Sequence, residues 1–413
     1  MKLLTRKQLT FIPLCISFLT LTACSMSRPP IGNPEAPYPP VAPLAVGDIF
    51  HPATGTLVSQ ETMLSIASDS RIIYVGETHD NPASHRLQFD VLKATVERSP
   101  VQVTLGMEMF TPAQQPVLDR WSAGELDEKT FLREVDWFSV WKGDFDLYRD
   151  LLHFAREHHI PVIGLNADKN MVRTVGGKPL EELTAEERAT IPELDLTDPY
   201  HAAMVKAIYG DHVKSEGRLA GFQRVQALWD DTMAASIVTY LQSPQGEGKK
   251  MVVLAGGNHV RHGFGIPRRV FRQFPTSYTL IGSREIEIPE SRQAQLMHVN
   301  MPNFPMLPYD FIALTRYEDE PKKVKLGVQF EAIEGADGIK VTGVVPGSAA
   351  DLAGLKEGDS LLQIDGELLH DSFDLIYGIG QKSEGETITL TYEREGEQST
   401  TEALLKPLTG HKP

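Results

Sequence analysis

The sequence predicts an α/β protein, a mostly parallel sheet covered by helices, followed by a small β-rich domain. Three observations predict it. Short apolar, β-branched runs alternate with longer helical stretches through the middle of the chain, as in a parallel sheet covered on both faces. Acids, imidazoles or amides beside glycines follow four of those runs. From about Lys322 the texture changes to short β runs with frequent glycine. A length of 413 residues suits two or three domains. The formal net charge of −15 argues against binding to a phosphate backbone, so no nucleic-acid partner is expected.

Residues 1–23 read as a signal peptide. Lys2, Arg6 and Lys7 form a basic start, and the apolar run Leu9–Leu21 is short for a membrane span. Leu21-Thr22-Ala23-Cys24 resembles a bacterial lipobox, which would make Cys24 the lipidation site, and Ser25 after it resembles outer-membrane sorting. The expected location is therefore the bacterial outer membrane, through a lipid anchor. Ordinary secretory cleavage or an uncleaved anchor is the alternative. Cys15 and Cys24 are the two cysteines, so the processed chain would have no free thiol, and any metal site would use His, carboxylate or Tyr. Residues 25–44 are proline-rich and read as a stiff tether.

Residues 46–318 read as the α/β domain. Its candidate strands are Arg71–Val75, Val101–Leu105, Ile160–Leu165, Met251–Ala255, Tyr278–Ile281 and Phe311–Leu314. Helical stretches cover Ser84–Glu97, Phe145–His158 and about Glu216–Gln242, the last with apolar residues at helical spacing from Leu219 and Phe222 to Leu241. Behind the strands come Gly76-Glu77-Thr78-His79, Gly106-Met107-Glu108, Asn166 with Asp168, and Gly256-Gly257-Asn258-His259. Open α/β sheets bind ligands outside the carboxyl ends of their strands. Glu77, His79, Glu108 and His259 thus form a candidate N/O site for Zn²⁺, Mn²⁺ or Fe²⁺. Gln226 and Asp230 share one face of the long helix, and an inward acid there calls for a cationic or metal partner. Each motif also has a plain structural explanation. Asp80 or Asn81 can cap a helix beginning at Pro82, and the other groups can be satisfied within the fold.

Four blocks in order, IIYVGETHDNPASHRLQFDVL, GMEMF, QALWDDTMA and VVLAGGNHVRHGFGIPRR, resemble the ChaN-like haem-binding uptake family, within the wider Tiki/TraB/erythromycin-esterase-like group. The resemblance implies a surface lipoprotein that binds haem in iron acquisition, as a homodimer with stacked haems and a tyrosine ligand. Tyr209, Tyr200, His212 and His262 are candidates for the ligand, since phenolate and imidazole both bind haem iron. Arg261, Arg268 and Arg269 are candidates for the propionates, with solvated helix-end charges as the plain alternative. The Tiki-like side of the group implies instead a metal-dependent hydrolase or protease. Glu77, His79, Glu108 and His259 would then hold the metal, and Glu108 or Asp230 would be catalytic in handling protons. The sequence leaves both readings open.

Residues 322–408 carry Pro346-Gly347-Ser348-Ala349-Ala350, Ala353-Gly354-Leu355, Gly358-Asp359 and Ile364-Asp365-Gly366. These resemble a bacterial PDZ domain. The resemblance implies an extended peptide or protein C-terminus as partner, added as a strand beside Val328–Phe330, with its carboxylate held near Lys325, Leu326 and Gly327. Ser372–Ile379 would face it across the groove. A packing or dimerising module with an empty groove is the alternative.

Overall fold

The computed structural model describes residues 38–210, 216–293, 299–319, 323–333 and 335–407. Cys24, the signal segment, most of the tether and His212 lie outside the described residues. Eight strands make the first sheet: β1 (Ile49–His51), β2 (Thr56–Val58), β3 (Ile72–Glu77), β4 (Val103–Met107), β5 (Val162–Gly164), β6 (Lys250–Gly256), β7 (Tyr278–Glu287) and β8 (Phe311–Arg316). Their spatial order is β2-β1-β8-β7-β3-β6-β4-β5. All pairings from β8 to β5 are parallel, and the short β1–β2 hairpin adds antiparallel on the β8 edge.

Both faces of the sheet are buried, which is why its strands read as unbroken apolar runs. Ile73, Val75, Leu105, Val252 and Leu254 pack on one side, against helices including Pro82–Arg98 and Asp146–Glu157. Ile72, Tyr74, Met251, Val253 and Leu280 pack on the other, against Glu216–Gln242 and Ile266–Gln273. The long helix follows its predicted pattern through Val225, Leu228, Met233, Ile237 and Leu241, but Phe222 is exposed and stacks on Tyr209 instead of joining the core.

Chain order fixes where a ligand can sit. The chain runs outward from β3 to β4 and β5, returns to insert β6 between β3 and β4, then crosses to β7 on the far side of β3. The reversal opens a crevice at the carboxyl ends of β3, β6 and β7. Asn81 caps the following helix, its Oδ1 accepting from the Ala83 amide, and Asp168 caps Lys169–Gly177. Of the two cap candidates read from the sequence, Asp80 and Asn81, it is Asn81 that caps.

The C-terminal unit contains β9 (Val324–Lys325), β10 (Val328–Ala332), β11 (Ile339–Val344), β12 (Ser360–Ile364), β13 (Glu367–Leu368), β14 (Thr387–Arg394), β15 (Glu397–Leu404) and β16 (Lys406–Pro407). Its sheet runs β10-β11-β12-β14-β15, which leaves β10 at an edge. Ser348 caps Ala349–Leu352 by accepting from the Asp351 amide, and Gly354 takes a left-handed φ of +78° just after that helix. The helix Ser372–Gly380 faces the edge strand.

Candidate functional site

A crevice of about 700 Å³ opens over the strand ends, lined by Glu77, His79, Glu108, His259 and Gln226 together with Trp141, Trp229, Tyr209 and Tyr309. Glu77 ends β3, Glu108 follows β4, and His259 sits in the turn of helix Gly257–Val260 after β6. Glycine makes the approach possible: a Cβ on Gly256 would lie 2.8 Å from His79 Nε2.

The polar floor is arranged as two ionic clusters. In the first, His79 Nδ1 lies 2.6 Å from Glu77 Oε1, which also accepts from the Tyr148 hydroxyl at 2.8 Å. Gln88 Nε2 donates to Glu77 Oε2 at 2.5 Å, and His85 lies 3.6 Å from that oxygen. In the second, His259 Nδ1 donates to Asp230 Oδ1 at 2.7 Å, while its Nε2 lies 3.5 Å from Glu108 Oε1. Asp230 Oδ2 lies 2.8 Å from His201 Nε2, and Glu108 Oε2 accepts from the Gly256 amide at 2.7 Å.

The charges hold one another ionised. Burial opposes the imidazolium of His259, but Glu108 and Asp230 outweigh it and raise its pKa to about 10. Burial likewise opposes charge on His79, and Glu77 with Glu108 raises it to about 9. Burial would raise Glu108, but His259 and His79 bring it down to about 2. Asp230 is held well below the usual carboxylate range: desolvation is outweighed by His259 and His201. Its expected cationic partner is therefore histidine. Gln226 and Asp230 do share a helix face, and Gln226 Nε2 lies 2.9 Å from His259 Nδ1.

The metal reading gains no support from this arrangement. Glu77, His79, Glu108 and His259 meet in one crevice, yet as carboxylate–imidazole pairs: both nitrogens of His259 face carboxylates, and His79 Nδ1 is engaged by Glu77. Imidazole must offer an unprotonated nitrogen to a metal. Among the described residues no group of three or more His, Cys, Asp or Glu side chains has the geometry to hold a metal ion.

The haem candidates separate. Tyr209 lines the crevice, half-buried, its ring stacked on Phe222 at 4.8 Å; burial, then the charges of Asp230 and Glu108, raises its pKa. Arg261 lines the crevice too. His262 does not. Its ring is buried between Phe264 and Phe304, its amide donates to the Pro308 carbonyl at 2.8 Å, and Nδ1 lies 2.9 Å from the Met306 carbonyl. With a left-handed φ of +59°, it is a packing residue of that turn. Arg268 is held by Asp195 at 2.6 Å and Asp198 at 3.4 Å, away from the crevice. Arg269 is buried against Asp231 at 2.8 Å. Tyr200 stacks on Phe264 outside the crevice.

Sequence reasoning missed several contributors, Tyr148, Gln88 and His85 on the floor among them. His201 reaches Asp230 from the helix Pro199–Tyr209. Trp141 stands edge-on to His79, ring centroids 5.3 Å apart. Arg284 lines the crevice from β7. Tyr309 lies across three strand ends: a Cβ on Gly282 would come within 2.4 Å of its ring, and one on Gly76 or Gly257 within 3.1 Å of its hydroxyl. A glycine inside a strand is a signal of such close approach, and Gly282 was the available one.

The family model described as haem-binding uptake, Tiki superfamily, ChaN, matches residues 63–270, half of the chain. The chain belongs to the ChaN haem-binding uptake family. It also carries a PDZ domain, whose family model matches residues 324–405. Among solved structures, the chain is similar to ChaN of Campylobacter jejuni, described with cofacial haem binding. The two are 17% identical with a TM-score of 0.50, over 65% of this chain and 98% of that one, a likeness of fold. The PDZ portion is similar to the HtrA-type protease AlgW with a decapeptide, at 23% identity and a TM-score of 0.21, over 22% of this chain and 30% of that one. It is similar also to the HtrA3 PDZ domain bound to a phage-derived ligand, at 22% and 0.19, over 20% of this chain and 86% of that one. No protein of curated function matches. Among the described residues no helix is long and apolar enough to cross a membrane.

The PDZ residues singled out from sequence come together in one place. Lys325, Leu326, Gly327, Val328 and Phe330 line a cavity of about 590 Å³ opposite Leu375, Ile376 and Ile379.

Proposed function

We propose that this ChaN-family protein binds haem in the strand-end crevice and assists iron acquisition as a lipoprotein of the bacterial outer membrane, anchored through Cys24. The observation that carries the haem reading is the crevice's composition. Trp141, Trp229 and Tyr309 offer aromatic surface to a macrocycle, and Tyr209 places a phenol among them. Arg261 and Arg284 at the same crevice suit carboxylate recognition by propionates. Of the described ligand candidates Tyr209 lines the crevice while His262 and Tyr200 lie outside it, and Tyr209 is the ligand we assign. Bound haem would supply the iron that such a carrier delivers; Tyr209, Trp141, Trp229 and Tyr309 would hold and orient it, and Arg261 and Arg284 would meet its carboxylates. A volume of about 700 Å³ lies inside the range of small-molecule sites, about 300–1,000 Å³. A second copy facing the open crevice would shield the bound haem, as a homodimer.

The PDZ domain, in this reading, docks the C-terminus of a peptide or protein. β10 is an edge strand with an unpaired side, the arrangement that strand addition requires.

The test is a haemin titration of protein purified without added haem, with metal analysis of the same sample. A saturable Soret shift at fixed stoichiometry is expected. Stoichiometric Zn, Mn or Fe with no Soret shift would overturn the reading. Labelled palmitate should enter the wild-type chain in cells and not Cys24→Ala.

A further inference from the structure

The crevice and the PDZ groove share a wall. Trp141 lines the crevice, and Phe138 and Lys142 to its two sides in sequence line the groove. The alternation recurs at Tyr148, whose hydroxyl donates to Glu77 on the crevice floor, and Arg149, which lines the groove. The PDZ groove is therefore a cavity between two domains, closed on its outer side by α/β residues.

Both the wall and the docking are firmly held. Trp137 Nε1 donates to the Gly143 carbonyl at 2.9 Å, and Lys142 has a left-handed φ of +68°. A Cβ on Gly143 would lie 2.5 Å from the Trp141 ring nitrogen, so the backbone and that ring are in mutual contact. Across the interface Arg133 reaches Asp371 at 2.7 Å and Asp374 at 2.6 Å, its guanidinium 4.4 Å over the Phe373 ring. Lys323 pairs with Asp144 and, at 3.3 Å, with Asp146. The Trp141 ring rests on the Gly143 backbone, so a ligand that shifts the ring presses on the segment that lines the groove.

We propose that the α/β domain supplies the third wall of the peptide groove, and that filling the crevice and filling the groove are energetically coupled through Trp141. The coupling rests on the haem reading above; the two-domain groove does not. The occupant is an extended peptide with a free carboxylate and an apolar last side chain. The apolar faces of Leu326, Phe330, Leu375 and Ile379 surround the place that side chain would take, and the edge of β10 is open to its backbone.

The test uses the full chain and a panel of fluorescein-labelled hexapeptides ending in Val, Leu, Phe or Ala, each as free acid and as amide. Binding of the acids and not the amides is expected. The best peptide's Kd should change by about fivefold or more when the crevice is saturated with haemin, with the same factor in the reverse titration, since coupling is reciprocal. Phe138→Ala should weaken the peptide at least about threefold and leave haemin binding unchanged. Because Phe138 also touches Phe373, the exposed Lys142→Gly, compatible with the left-handed backbone, serves as a second wall variant and should also alter peptide affinity. Trp141→Ala should bring the coupling factor towards one. Equal peptide Kd values with and without bound haemin overturn the coupling. Wall variants with wild-type peptide affinity, or a panel in which nothing binds, overturn the two-domain groove. Absence of a Soret shift sinks the haem reading and the coupling with it, while the wall variants still decide the groove.

Discussion

Replacing Asp230 with asparagine removes the carboxylate on which two imidazoles converge. Asp230 is fully buried and is contacted by His201 at 2.8 Å and His259 at 2.7 Å. Removing one partner of a buried ion pair costs about 3–5 kcal/mol, because the other charge stays buried without compensation. Asparagine keeps the shape and one acceptor oxygen, and Glu108 remains 3.5 Å from His259. The expected loss is therefore at the low end, about 3 kcal/mol at pH 6. The pH profile should change as well. His259 and His79 have folded pKa values raised to about 10 and about 9. Raised values give stability that is complete below the unfolded value of about 6.5 and is lost as pH rises through the folded values. The wild-type domain should thus weaken steadily from about pH 7 towards pH 10. Glu108 and Asp230, held low, act at the other end: their contribution is present above about pH 4 and is lost as the pH falls towards 2. These are the same contacts seen from either partner, so the two contributions do not add.

Asp230→Asn lowers the pKa of His259 and should flatten the alkaline slope. The assay is urea unfolding between pH 5 and 9, followed by tryptophan fluorescence. All four tryptophans, at 121, 137, 141 and 229, lie in the α/β domain, so the signal excludes unfolding of the PDZ domain. A loss below about 1 kcal/mol at pH 6 would fall outside the range for breaking a buried pair and refute the assignment. So would an alkaline slope identical to wild type.

Three further outcomes are expected. Tyr209→Phe should weaken haemin binding by about tenfold or more, a loss of ~1.4 kcal/mol or more, whereas His262→Ala should keep the Soret shift and lower the thermal midpoint. Gly282→Ala places a methyl 2.4 Å from the Tyr309 ring and should cost about 1–3 kcal/mol by overpacking, read from the same urea curves. Arg133→Ala should loosen the two domains, visible as a larger radius of gyration in small-angle scattering. Because Arg133 is partly exposed, high salt should reproduce part of the effect in wild type.

The sheet was legible because its strands are buried on both faces, so β3 to β8 appear as apolar runs, although β7 continues past the predicted Ile281 to Glu287 where its burial fades. The β1–β2 hairpin was not, since two strands of three residues carry no usable period. Glu77, His79, Glu108, His259, Gln226 and Asp230 were legible as a converging set because parallel strands bring their carboxyl ends to one edge. Their pairing was not legible: residue type does not reveal that each imidazole faces a carboxylate. Arg268 and Arg269 lie off the crevice for a related reason. Helix Ile266–Gln273 turns Arg269 inward onto Asp231 and leaves Arg268 to Asp195, partners 38 and 73 residues away in sequence. Trp141 and Tyr309 come from segments whose approach to the site is set by tertiary packing.

The paired state of the crevice floor bears on ligand choice. A carboxylate–imidazole pair already satisfied in the fold gains little by turning to a new partner, since breaking it leaves a buried charge exposed to a poor environment. The floor is therefore stiff and nearly self-neutralised, and discrimination passes to the groups around it. Those include the aromatic and guanidinium groups of Trp141, Trp229, Tyr209, Tyr309, Arg261 and Arg284, beside the acids Asp80 and Glu285. Such a rim favours a flat, apolar ligand carrying peripheral carboxylates over a small hydrated ion, which must draw its affinity from the floor itself. In this arrangement the ionic clusters serve the site by holding the strand ends in place, and a floor mutation should act first on stability and only through it on ligand affinity.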